Sequence, residues 1–442
     1  MQYKRYLSAI RNTEFVRRVG RITQFFGLVA ESSGPDVFVG EVCEIYSRFQ
    51  GAAILAEVVG IKDGKVLLMP YGDLRGIGLG SEVIATGRSL QIPLGKELLG
   101  RIVDAFGSPL DGKPLPELEL HYHLKSDPIN PLSRAKINQV METGVRTIDT
   151  LLTLGRGQRM GIFSGSGVGK STLLGMIARN MRADINVIAL IGERGREVRD
   201  FIDKNLGPEG LARSVVVVAT SDQPALVRSR AAYAATAIAE YFRDQGKHVV
   251  LTMDSITRFA MAQREIGLSI GEPPTSRGYT PSVFALLPKL LERCGTADNG
   301  GSITALYTVL VEGDDLNDPI ADSLRAILDG HIVLTRELAH HGHYPAIDVL
   351  QSISRLLVDL VSKQDREIVK KAVQLLSTYE KSKQMVEIGA YRSGTNPDLD
   401  RAISLMPKLT EFLKQGTDDA VTRENAMRTL QNLLTQTAAL KS

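Results

Sequence analysis

Tryptophan is absent from this chain, and only two cysteines occur, Cys43 and Cys294. The missing tryptophan carries no functional message. The cysteines lie far apart and outside any metal-ligand spacing, which excludes a disulfide framework or a zinc site and makes a reducing cytosol the expected compartment. Charge of one sign is also lacking: the formal net charge is only +3. That balance argues against a nucleic-acid coat or a polybasic membrane anchor. No segment approaches the roughly 18 uninterrupted apolar residues of a membrane span. The opening Met1-Gln-Tyr-Lys-Arg-Tyr-Leu has no apolar run long enough for a signal peptide. Work at a membrane would therefore proceed by docking onto something embedded there. Tandem repeats and low-complexity segments are absent too.

What is there is enough chain for two or three domains. Residues 3–15 place Tyr3, Tyr6, Leu7 and Ile10 at helical spacing, opposite Lys4, Arg5 and Arg11. This stretch, within a segment 1–18, is either a frayed terminus or a partner-docking helix. Over 19–93, short β-rich runs alternate with turn signals such as Ser33-Gly-Pro-Asp36 and Lys62-Asp-Gly64, which predicts a small closed β-barrel. A loop-rich connector follows Pro93. From about Thr143 to Arg336, apolar runs such as Ile185–Ile191, Val215–Val218, His248–Met253 and Ile303–Leu310 alternate with helical stretches. Continuous apolar strands between helices indicate a parallel sheet buried on both faces, so 94–345 is read as an α/β domain. The remainder, 346–442, reads as a C-terminal helical domain without strands.

The run Arg159–Phe163 leads into Ser164-Gly-Ser-Gly-Val-Gly-Lys-Ser171, and Thr172 onward continues as a helix. A phosphate-binding loop needs this strand–loop–helix setting. Gly165, Ser166, Gly167, Val168 and Gly169 let successive backbone N–H groups turn inward around phosphates, and the helix N-terminus adds its positive end. Lys170 can reach the β- and γ-phosphates, and the Ser171 hydroxyl can ligate Mg²⁺ next to Thr172. Ser164 stands where such loops usually carry their first glycine. His248–Met253 ends in Asp254, which suits the carboxylate that organises Mg²⁺ through bound water; many buried strands also end in Asp as a helix cap. Glu193 follows another strand, and ligands of open α/β sheets gather at strand carboxyl ends. There it can orient an attacking water, or it can simply join an ion-paired loop with Arg194, Arg196 and Glu197.

Three strings now occur in order: Gly165-Ser-Gly-Val-Gly-Lys-Ser, Gly192-Glu-Arg-Gly-Arg-Glu and Tyr344-Pro-Ala-Ile-Asp-Val-Leu-Gln-Ser-Ile-Ser-Arg355. Together they resemble the catalytic subunits of rotary ATPases, the F1 and V1 superfamily. Within it, Val311–Asp318, Pro281–Pro288, Ile327–Val333 and above all Ile388–Asp400 are similar to the type III secretion ATPases. Pro319-Ile-Ala-Asp-Ser-Leu-Arg-Ala-Ile resembles the flagellar branch more than the virulence branch.

The resemblance implies a RecA-like P-loop NTPase core using ATP and Mg²⁺, with Glu193 as the catalytic carboxylate. It implies that Arg194 senses the γ-phosphate, that Tyr344 packs on adenine, and that Arg355 is an arginine finger supplied across a subunit boundary. Without the resemblance, Tyr344 would read as a partly buried surface tyrosine and Arg355 as an ordinary surface arginine at the head of a helix. One chain carrying both Glu193 and Arg355 implies a homohexamer. The implied setting is a cytoplasmic ring docked at the membrane, spending ATP on protein export. Its implied partners are a stator-like regulator at the N-terminal helix, a central stalk protein, export gate proteins, and export chaperones with their substrates. Nucleic acid is not among them.

Competing readings are a virulence secretion ATPase, a catalytic subunit of a proton-coupled synthase, a hexameric RNA translocase and a non-catalytic ring component. The barrel's lack of a basic stripe and interleaved aromatics argues against the translocase, and Glu193 argues against the non-catalytic component.

Overall fold

The computed structural model describes residues 17–47, 53–118 and 120–435. The docking helix expected within 1–18 falls almost wholly outside them. Six strands, β1 (Val19–Phe26), β2 (Val29–Ser33), β3 (Glu41–Tyr46), β4 (Ala53–Lys62), β5 (Lys65–Pro70) and β6 (Glu82–Ser89), close into a barrel in the order β1-β2-β5-β4-β3-β6. Alternation along each strand sends Ile22, Cys43, Ile45, Val58, Leu68 and Val83 into one small core. Closure removes the free edges that six short strands would otherwise expose.

The connector is less loop-like than its composition suggests. β7 (Gln91–Leu94) pairs with β9 (Leu120–His123) as a ribbon, and between them β8 (Arg101–Val103) crosses to the main sheet. β8 is only three residues long, too short for a periodicity to register in the sequence. Arg101 anchors it through a two-pronged pair with Asp111, at 2.6 and 3.0 Å.

β10 (Val140–Met141) and β11 (Leu154–Gly155) form a small pair ahead of the main sheet. That sheet is built from β12 (Arg159–Ser164), β13 (Ile185–Ile191), β14 (Ser214–Ala219), β15 (His248–Asp254), β16 (Gly295–Thr296), β17 (Ser302–Leu310), β18 (Gly330–Leu334) and β19 (Ile347–Ser354), with β8 as one edge. The order is β19-β18-β12-β17-β15-β13-β14-β8, with β16 beside β17. From β18 through β12, β17, β15, β13 and β14 to β8 the neighbouring strands are parallel, and helices cover both faces. Val187, Ala189, Val215 and Val217 enter the core on one side, whereas Ile188, Leu190, Val216 and Val218 enter the core on the other. Both faces of each strand are thus apolar, which is why these runs are unbroken in the sequence.

β19 corrects the expectation that no strand follows residue 346. It lies antiparallel to β18 at the sheet edge. Only Ile347 and Val349 are buried along it, so its apolar signal is too thin to announce a strand. Helices take over beyond it: Lys363–Glu387, Pro397–Leu413 and Arg423–Thr435 pack on one another and, through Leu376, Leu409, Phe412 and Leu430, extend the second core of the sheet. None of the described helices is long and apolar enough to cross a membrane.

Candidate active site

Strand register brings the candidate residues together. Ser164 at the end of β12 is level with Leu310 of β17 and Leu334 of β18, and Asp254 at the end of β15 is level with Leu190 of β13. Residues 165–170 and 192–193 therefore leave the sheet along one carboxyl edge, where open parallel sheets form their crevice.

The loop between Ser164 and Lys170 turns through Gly167 and Gly169, at φ 80° and 86°. Side-chain-bearing residues rarely adopt those angles, so the two glycines are needed there. Gly169 caps the helix Lys170–Asn180, whose first turn carries no acidic residue. Its orphan N–H groups and positive end can receive phosphate. Ser166, Gly167, Ser171 and Thr172 are exposed, while Val168 is buried and fastens the loop to the core.

Lys170 Nζ donates to Asp254 Oδ1 at 2.5 Å and lies 3.7 Å from Glu193 Oε1. Three groups from three segments thus converge. Asp254 is nearly fully buried, and its Oδ1 also accepts from Thr308 Oγ1 at 2.6 Å. Burial pushes the Glu193 carboxyl up to about 7, the negative Asp254 adds to the rise, and Lys170 opposes it. A carboxylate poised there can take up or release a proton near neutral pH.

Backbone bonds hold the Glu193 turn. Gly192 N–H donates to Ala219 O at 2.7 Å and Ser221 N–H donates to Glu193 O at 3.0 Å.

The donor set fits a magnesium nucleotide. Glycines at positive φ open the loop, Ser171 and Asp254 offer oxygen ligands, and Lys170 offers a cation. Ser164 Oγ and Glu193 Oε1 are buried without a hydrogen-bond partner, as polar groups built to meet a ligand are.

Tyr344 sits over the same loop. A Cβ placed on Gly169 would stand 3.4 Å from the tyrosine ring. The Tyr344 carbonyl accepts from Gln415 N–H at 2.9 Å, and a cavity of about 660 Å³ opens between Tyr344, Phe412 and Gln415. A flat aromatic base fits beside such a ring.

Two of the sequence candidates are not part of this cluster. Arg194 is exposed and pairs loosely with Glu197, at 3.8 Å. Arg355 lies at the other end of the sheet: its N–H donates to Asp329 O, and its neighbour Ser354 pairs with Gly330 at the start of β18. Four residues of β18 separate that point from Leu334 beside Ser164, about 13 Å at strand spacing.

Several neighbours of the site carry no signal in the sequence. Thr308 is one. Arg258 packs its side chain against Gly192, and its Nε is buried without an acceptor. Asp314 and Arg336 lie against Gly165. Each is brought in by tertiary packing rather than by spacing.

Comparison with known proteins covers nearly the whole chain. The nucleotide-binding domain of the ATP synthase alpha/beta family matches residues 144–354, the β-barrel domain of the same family matches 22–87, and the T3SS EscN ATPase C-terminal domain matches 361–432. The chain is 55% identical to a flagellum-specific ATP synthase of Bacillus subtilis over 98% of its own length and 99% of the relative's. A Salmonella typhimurium protein of that name is 52% identical, over 96% and 97%. A type 3 secretion system ATPase of Xanthomonas euvesicatoria is 49% identical, over 94% of each. Among solved structures, the assembled ATPase EscN of enteropathogenic E. coli superposes with a TM-score of 0.90 at 45% identity, covering 94% of this chain and all of that one. EscN in complex with its central stalk EscO gives 0.86 at 44%, with the same coverage.

Proposed function

The chain belongs to the ATP synthase alpha/beta family, in its type III secretion branch, and from that membership we propose that it hydrolyses ATP in a homohexameric ring that drives flagellar protein export. It is a P-loop ATPase. The observation that carries the mechanism is the convergence of Lys170, Glu193 and Asp254 at one sheet edge while Arg355 stands at the other.

In this reading Lys170 and the loop N–H groups of 165–170 hold the phosphates, with Ser171 and Asp254 toward Mg²⁺ and Tyr344 against adenine. Mg²⁺ bound there supplies charge neutralisation of the β- and γ-phosphates. Glu193 orients the attacking water and accepts its proton, a task suited to a carboxyl that titrates near neutrality. Arg355 stands too far down the sheet to serve its own loop, which supports the role that the family resemblance implies for it, a finger that neutralises charge on the phosphoryl group transferring in a neighbouring protomer. Arg194, exposed and only loosely paired with Glu197, is the γ-phosphate sensor of this reading and turns inward on assembly.

Closed rings follow from such head-to-tail contacts. EscN, which was solved as an assembled ATPase and with a central stalk, supports a ring and a stalk partner here. The export gate, chaperones, substrates and an N-terminal regulator complete the proposal, as does a cytoplasmic position at the inner face of the membrane. Relatives named flagellum-specific ATP synthase, from Bacillus subtilis, Treponema pallidum and Salmonella typhimurium, are 55, 53 and 52% identical, which favours the flagellar over the virulence system.

A mixing experiment tests the shared site. Glu193→Gln and Arg355→Ala should each be inactive alone. Mixed and reassembled, they should recover activity, because about a quarter of randomly formed interfaces then join an intact Glu193 to an intact Arg355. Absence of recovery from correctly assembled rings would refute the trans arrangement. Loss of flagella on gene deletion, with other secretion intact, tests the export assignment.

A further inference from the structure

Away from the phosphate loop, a cavity of about 360 Å³ lies where the barrel meets the main domain, within the size range of small-molecule sites. Its walls include Gly40 and Glu57 of the barrel, Lys125 after β9, Arg230 of the helix Ala225–Arg243, Ile266 of the helix Ile256–Ser269 and Leu286 of the helix Pro281–Leu291.

Arg230 is only 4% exposed. Its Nε donates to Ala105 O at 2.9 Å and its Nη2 to Gln91 O at 3.0 Å, but Nη1 has no acceptor. The guanidinium lies 4.5 Å from the Phe106 ring centroid and 5.7 Å from that of Tyr71. Among the described residues no carboxylate comes within ion-pair distance of it, unlike Arg293, which is as deeply buried and grips Glu240.

The two acidic side chains that share the cavity are already engaged. Glu57 accepts from Tyr71 Oη at 2.5 Å and from Lys125 Nζ at 3.3 Å, and Glu272 accepts from Ser282 Oγ at 2.6 Å. Charges this deeply buried are ordinarily paired. Burial alone brings the Arg230 guanidinium down to about 10, against the pull of Tyr71 and Glu57.

We propose that this cavity binds a small organic oxyanion, a carboxylate or phosphate monoester with an apolar body, with the Arg230 guanidinium as the charged wall that meets the oxyanion. The apolar body lies among Val59, Leu226, Ile266 and Leu286. Such a ligand bridges barrel and main domain, and it touches the helix Ile256–Ser269, which begins two residues after Asp254.

Calorimetric titration of the full-length protein tests this, with saturating ADP and Mg²⁺ present so that the phosphate loop is occupied. The probes are phenyl phosphate, phenylacetate and the neutral benzyl alcohol. Saturable binding of at least one anion, tenfold or more tighter than the alcohol, is the expected result, and which anion wins identifies the head group. Arg230→Met should cut anion affinity at least tenfold while leaving the alcohol unchanged. If that variant does not fold, Leu286→Trp, which fills the cavity, should abolish anion binding. No saturable anion binding, equal binding of the alcohol, or binding that survives Leu286→Trp would each overturn the proposal.

Discussion

Lys170 Nζ and Asp254 Oδ1 are joined at 2.5 Å, although 84 residues separate them in the chain. Asp254 shares that oxygen with the Thr308 hydroxyl, and Lys170 also stands near Glu193. The cation is thus set between two carboxylates by the ends of three different segments, and its geometry depends on strand register.

Thr308→Val keeps the shape of the side chain and removes the donor to Asp254. Outer-shell partners of this kind are worth about 10- to 100-fold in metal affinity or activity. Titrating ATP hydrolysis with Mg²⁺ should show a weaker apparent affinity for the metal, with the KM for ATP at saturating Mg²⁺ nearly unchanged. An unaltered Mg²⁺ dependence would remove Thr308 from the site.

Burial, helped by the neighbouring Asp254, raises the Glu193 carboxyl in the folded chain to about 7, well above the ordinary glutamate range. Its folded form therefore holds an extra proton between that range and about 7, so its contribution to stability falls as pH rises through the window and is most unfavourable above 7. Glu193→Gln should stabilise the protein at pH 8 by on the order of 1–3 kcal/mol, a gain that fades toward pH 5. Denaturation of the nucleotide-free protein across this range reads it directly. In the wild type, kcat/KM should decline below about pH 7 as the carboxylate is protonated.

Tyr344→Ala should raise the KM for ATP about tenfold, the equivalent of one aromatic contact, with little change in kcat. Tyr344→Phe should behave as wild type, because ring carbons Cδ1 and Cε1 rather than the hydroxyl meet Gly169. A fall in kcat with unchanged KM would place Tyr344 in the chemistry instead.

Arg293 and Glu240 form a buried two-pronged pair, with Nε to Oε1 at 2.9 Å and Nη2 to Oε2 at 2.5 Å. Arg293→Met leaves Glu240 only the Ser126 hydroxyl at 3.1 Å and Arg243 at 4.0 Å and should cost up to about 3–5 kcal/mol, measured by urea denaturation. Replacing both, as Arg293→Met with Glu240→Leu, should cost much less. An equal loss in single and double variants would show that packing, not the charge pair, dominates.

Much of this was legible in the sequence. The phosphate loop declares itself because its backbone angles admit little but glycine at 167 and 169, and because an apolar strand and a helix must flank it. Asp254 and Glu193 were legible for a related reason: each follows a run that is apolar on both faces, and only the carboxyl ends of such strands reach solvent together. β8 and β19 were not, since one is too short to show a period and the other is half exposed. Thr308, Arg258 and Arg230 are unremarkable in their local context; their neighbours come from other segments.

The sequence by itself therefore determined the barrel, the parallel sheet and the phosphate loop, because local backbone geometry and burial write directly into residue type. Tertiary structure alone decided which ends meet. Parallel register places Lys170, Glu193 and Asp254 at one edge, whereas the antiparallel return of β19 carries Arg355 to the opposite edge. Strand direction and order are set by packing across the whole sheet, and no local pattern of residues encodes them.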